Sequence, residues 1–154
     1  MRSWDLGLGS WGAPALMWRV AILWCPPLGG LLLACSLTLN AQEMTSVNAG
    51  VYTPEQADRG QLLYRNKCAS CHPPVRFTDE DLFHKVYAGK PLWELFDAIA
   101  ETMPEDDPGG MKPEEYADVV AYILRLNRYP TGAGDIPTSR EGLSAIRLER
   151  PAGR

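Results

Sequence analysis

Apolar residues recur at helical spacing over most of the chain. In "KPEEYADVVAYILRLN" the residues Tyr116, Val119, Val120, Ile123 and Leu124 fall at i, i+3, i+4, i+7 and i+8, which predicts an amphipathic helix. Pro113 suits its first position, and Glu114 and Glu115 sit where the positive end of a helix dipole favours acids. In "PLWELFDAIAETM" the residues Leu92, Leu95, Phe96 and Ile99 repeat the spacing, with Pro91 as the start. "YTPEQADRGQLLYRNK" opens with Thr53 as N-cap and Pro54 at the first helical position. "TDEDLFHKVY" places Thr78 at a cap with Asp81 three residues on, a carboxylate form of the capping box. No stretch alternates apolar and polar residues as a half-buried strand would. The expected fold is all-α.

Gly60 and Tyr64 lie one turn apart on one face of the first of these helices. A glycine there weakens a helix by about 1 kcal/mol relative to alanine, so a close crossing is the reason expected for it. The first and last helices are predicted to cross near Gly60, with Tyr64 and either Tyr116 or Tyr122 at the contact. The tail, "TGAGDIPTSREGLSAIRLERPAGR", is punctuated by Gly and Pro and carries one weak helix signal. It is expected either to wrap the domain or to be partly disordered.

The first forty or so residues have a different character. No side chain from Val20 to Gln42 is charged, Arg19 precedes them, and "LNA" ends on a small residue at Ala41. This predicts a secretory signal peptide over 1–41. The interior "CPPLGG" argues against a stable membrane-spanning helix. Retention of the leader as an anchor, and lipid attachment at Cys35 in "LLAC", are the alternatives. Membrane association is expected only in those two cases. Met17 opens "MWRVAILW", a better leader than residues 1–16, and is the suspected true start. The chain of 154 residues then divides into this leader, a short segment 42–51, one domain over 52–130 and the tail 131–154. The formal net charge of −4 argues against nucleic acid, which needs a basic footprint.

Two of the four cysteines, Cys25 and Cys35, fall in the leader, leaving only Cys68 and Cys71 in "CASCH". A structural zinc site would need a second ligand pair, but no cysteine follows Cys71 and the only other histidine is His84. A thioredoxin-like dithiol wants a strand before the motif, where helix signals stand instead. Covalent haem attachment uses every residue of C-x-x-C-H. Cys68 and Cys71 would be thioether anchors across the two vinyl groups, and His72 the proximal axial ligand. Such attachment occurs outside the cytoplasm, the compartment that the leader predicts independently.

A second axial ligand is expected downstream, where Met103 and Met111 are the two methionines. Met103, in "ETMPEDDPGG", follows a helix and precedes Pro104, so it sits on a loop able to fold over a haem; Met111 is the fallback. His84 is expected to be an ordinary surface or partly buried histidine.

Taken together, the helix before "CASCH", "ELFDAIAETMP" and "MKPEEYADVVAYILRLNRYPTGAG" resemble a class I c-type cytochrome domain over roughly Tyr52 to Pro130. The last two are similar to the small cytochrome modules associated with bacterial quinoprotein alcohol and sugar dehydrogenases. The resemblance implies a small helical cage round one haem c, with His72 and Met103 as iron ligands and Cys68 and Cys71 as attachment sites. It implies a periplasmic one-electron carrier rather than an enzyme. Expected partners are redox proteins: a quinoprotein dehydrogenase as donor and a downstream oxidase or cytochrome as acceptor. The alternative is a haem enzyme or gas sensor with a displaceable Met103. Two departures from the pattern stand out. "CHPPVRFTDEDL" is shorter than usual after the motif, so either Pro74 and its neighbours buttress His72 or one haem edge is open. Lys112 replaces the expected serine cap, which predicts a poorly capped last helix. Arg76 and Lys90 are expected in the docking ring.

Overall fold

The computed structural model describes residues 44–153. The leader over 1–41, the start at Met17 and the cysteine Cys35 lie outside the described residues. Helix α1 spans Pro54–Lys67: the Thr53 hydroxyl accepts the Gln56 amide at 3.1 Å, and Pro54 occupies the first position, as expected. Two further helices follow the predicted periodicities, with a short α2 (Lys85–Tyr87) before them. They are α3 (Leu92–Thr102), with Pro91 as its cap rather than its first residue, and α4 (Pro113–Leu126).

Two local expectations need correction. The segment after the cysteines caps on Asp79, not Thr78: its carboxylate accepts the amides of Asp81 at 2.9 Å and Leu82 at 3.0 Å. One carboxylate oxygen, Oδ1, accepts both orphan amides, whereas the Thr78 hydroxyl turns back to the Val75 carbonyl. A π-turn over Glu80–His84 then leads into α2. The start of α4 is also better capped than predicted. The Glu115 carboxylate reaches back to the Lys112 amide at 2.8 Å, giving half of a capping box from inside the helix.

Helix α4 is the axis of the core. Its predicted stripe is buried, and so are Ala117, Asp118, Ala121 and Tyr122, because α1 packs on one side and α3 on another. The crossing of α1 and α4 is as close as Gly60 suggested. A Cβ built on Gly60 would lie 1.8 Å from the Asp118 carbonyl oxygen and 3.1 Å from the Tyr122 Cβ. Tyr122 is the aromatic at the contact, its ring 5.0 Å from that of Tyr64. Tyr116 turns away, edge-on to Phe96 at 6.1 Å.

The tail wraps the helices. The Gly132 amide bonds the Tyr52 carbonyl at 2.7 Å, and the Gln56 side-chain oxygen accepts the Ile136 amide at 2.8 Å. Arg59 bridges Asp118 of α4 at 2.9 Å and Asp135 of the tail at 2.8 Å. After the short helix α5 (Arg140–Ser144), strand β2 (Ile146–Arg147) pairs in parallel with β1 (Thr45–Ser46). Apart from these two-residue strands the described residues are mostly helical, as the all-α expectation has it. Leu143, Ile146 and Leu148 are buried beneath the wrap. Among the described residues no helix is long and apolar enough to cross a membrane.

Candidate functional site

The "CASCH" stretch is the turn that ends α1. The Cys68 amide completes the helix on the Tyr64 carbonyl at 2.9 Å, and the Cys68 carbonyl then accepts from Cys71 at 3.2 Å and His72 at 2.9 Å. This winding brings Cys68, Cys71 and His72 to the lining of one cavity of about 860 Å³, a volume in the range of cofactor and ligand sites. Met103, directly after α3, lines the same cavity. The apolar lining comes from Phe77, Phe83, Leu95, Ile99, Val119 and Ile123.

Neither of the other candidates is there. Met111 is buried in the core and does not line the cavity. His84 is 1% exposed, more deeply buried than expected, and packs edge-on to Phe83 at 5.3 Å. It is not brought to Cys68, Cys71 and His72, so the four-ligand zinc set is not assembled. Burial pushes the Cys68 thiol above its ordinary pKa, with Lys67 opposing. A dithiol redox centre needs the reverse, a stabilised thiolate.

Residues 55–123 match the family model described as Cytochrome C oxidase, cbb3-type, subunit III. The match is consistent with a monohaem class I c-type cytochrome domain over these residues. No curated protein and no solved structure matches it. A cytochrome domain of this kind binds haem and serves electron transfer. The residues present fit that group: two thiols and an imidazole on one lining segment, a thioether on another, and an apolar surface between.

His72 is contacted by residues on either side of the two prolines in sequence. Pro73 and Pro74 are exposed. The support comes from Phe77, whose ring meets His72 edge-on at 6.0 Å, and from Tyr64, whose hydroxyl donates to the His72 carbonyl. Burial, then the neighbouring Tyr122, raises the Tyr64 pKa. Phe77 is itself fixed, because the Asn127 amide group donates to its carbonyl at 2.7 Å. None of these three residues carries a sequence signal for the role, since each contact joins separate elements.

The rim also differs in part from expectation. Arg76 lines the cavity, but Lys90 does not; its ammonium pairs with Glu94 at 3.1 Å. Lys67 takes its place, and Glu105, Asp106 and Asp107 line the rim on the Met103 loop. The acidic run follows "MP" directly in the sequence.

Proposed function

We propose that the protein is an exported, periplasmic monohaem cytochrome c that carries single electrons between redox proteins, with a periplasmic quinoprotein dehydrogenase as donor and an oxidase or cytochrome as acceptor. Cys68 and Cys71 are the covalent attachment sites, and His72 and Met103 the axial ligands. One observation carries this reading: Cys68, Cys71, His72 and Met103, from two segments separated by α2 and α3, line one cavity with apolar walls and a charged rim. When bound, the haem supplies one-electron exchange between ferrous and ferric iron.

The chain's own residues do the rest. Phe77, Phe83, Leu95, Ile99, Val119 and Ile123 exclude water from the site, which lowers the local dielectric and favours the less charged redox state. Tyr64 and Phe77 hold the His72 segment, so little rearrangement accompanies electron transfer. Leu82 and Val86 line the same cavity and are also exposed, at 55% and 45%. They offer an apolar contact for a partner, flanked by Lys67 and Arg76 and by the acids of the Met103 loop. No residue of the site is required to relay a proton.

A pyridine haemochrome spectrum of the periplasmic fraction tests the reading, with Cys68→Ala as control. A c-type spectrum in the parent, altered or lost in the variant, is the expected result. An exported polypeptide whose mass lacks the added tetrapyrrole overturns it.

A further inference from the structure

The loop from Met103 to Met111 is made by turns of its own: the Asp107 amide bonds the Pro104 carbonyl at 3.0 Å, and the Gly110 amide bonds the Asp107 carbonyl at 2.9 Å. Residues 105–110 are exposed. Such bonds shape a loop without attaching it to the body of the domain. Met111 is buried in the core at one end, and one side chain of α4 joins both ends to the body of the domain. The Tyr116 hydroxyl donates to the Met103 carbonyl at 2.8 Å and accepts the Met111 amide at 3.4 Å. A phenol can do both at once, since it is one donor and an acceptor. It therefore ties the two ends of the loop to the same point.

That point is rigid. Tyr116 is 3% exposed, and its ring packs edge-on to Phe96, which in turn stacks on Trp93 at 5.6 Å. A buried phenol on the central helix has little freedom to follow a loop that drifts outward. Losing its hydroxyl would leave a carbonyl and an amide without partners at the two ends of the loop.

We propose that Tyr116 is a positioning residue: its hydroxyl latches the Met103 loop shut and thereby sets how readily Met103 leaves the haem iron. This rests on the assignment of Met103 as an axial ligand. It places the choice between a closed electron carrier and an open, ligand-binding haem in a residue that touches neither haem nor iron. Methionine displacement by an added ligand requires the loop to open, and opening breaks both bonds to Tyr116.

Tyr116→Phe tests the latch, with Tyr52→Phe as control. Tyr52 is also a buried phenol, donating to the Tyr129 carbonyl at 2.7 Å, and it does not line the cavity. The ferric protein is titrated with imidazole while the long-wavelength band of Met–iron bonding is followed. Tyr116→Phe is expected to bind imidazole about 5- to 30-fold more tightly than the parent, the factor that one or two lost hydrogen bonds give. Tyr52→Phe is expected to lower the melting temperature without changing imidazole affinity. Equal imidazole affinity for parent and Tyr116→Phe overturns the latch, as does an equal gain in Tyr52→Phe.

Amide hydrogen exchange on the unmodified protein tests the same attachment if the variant does not fold. The Met111 amide is expected to be protected; exchange at the unprotected rate overturns the latch. A parent with haem bound but no Met–iron band counts against the assignment of Met103, while protection at Met111 still supports the attachment.

Discussion

Replacing Gly60 by alanine puts one methyl group where the backbones of α1 and α4 meet. The new Cβ would lie 1.8 Å from the Asp118 carbonyl oxygen and 2.5 Å from its carbon. Carbon–oxygen contacts between neighbouring backbones settle near 3.3 Å, so the helices must part by about 1.5 Å. Both obstructing atoms belong to backbone inside a buried helix, and no side chain can swing aside. A gap of 0.5–1 Å already forfeits roughly a quarter to a half of each van der Waals contact across it. Overpacking of this kind typically costs about 1–3 kcal/mol and sometimes more. Alanine returns about 1 kcal/mol as the better helix former. With the overpacking at or above the top of its range, the net loss is about 2–3 kcal/mol. For a domain near 100 residues that corresponds to a fall in melting temperature of about 10–20 °C. Tyr64 and Cys68 stand further along α1, and Val119 and Ile123 on α4, so the cavity is distorted as well. Thermal unfolding followed by far-ultraviolet circular dichroism measures the first effect, and haem content per mole of purified protein the second. Gly134→Ala is the control, because nothing lies within 4 Å of a Cβ there. It is expected to stay within about 0.5 kcal/mol of the parent. A Gly60→Ala protein that melts with the parent and carries its full haem would refute the close crossing.

Three further outcomes follow from other parts of the fold. Met111→Leu conserves volume in the core and should cost less than about 1.5 kcal/mol, leaving the ferric spectrum unchanged, whereas Met103→Leu should remove the long-wavelength band; a spectrum altered by the first and not the second would reverse the ligand assignment. Leu148 is 1% exposed under the wrapping tail, so Leu148→Ala should destabilise by about 2–5 kcal/mol in urea unfolding, and a loss well under 1 kcal/mol would mean the tail is not docked in solution. Asp135 accepts hydrogen bonds from Thr53 and from Arg59, which hold its carboxyl below the usual carboxylate range. A depressed folded pKa adds stability above the unfolded value, near 3.8. That stability is lost as pH falls through the lower folded value. Asp135→Asn should therefore flatten the acid limb of the stability curve, and parallel acid limbs for parent and variant would sink this linkage.

What could be read in advance sorts by the range of the interaction. Thr53, Pro54 and the stripe from Tyr116 to Leu124 act within a few residues of themselves, and their elements stand as the spacing predicted. Gly60 was legible because an unfavourable residue in a helix needs a reason from outside it. The choice of Asp79 over Thr78 was not, since both can cap and only the geometry of the preceding turn decides. The pairing of β1 with β2 joins the two ends of the described chain through two residues each, too few to show a period.

The site divides along the same line. Cys68, Cys71 and His72 fall within one helical turn's end, so the motif alone placed them together. Met103 needed the additional observation that its loop follows a helix. Tyr64, Phe77, Asn127 and Tyr116 needed the fold itself, because whether each side chain turns toward the site is decided by packing and not by spacing along the chain. The residues expected to bind the haem are thus marked by sequence, while those that hold the binding segments are marked only by packing. A protein with the same motif and a different α4 could keep the donor set and lose its rigidity. In this chain the difference between carrying electrons and admitting an outside ligand would then lie in α4, a helix that supplies neither the cysteine motif nor an axial ligand.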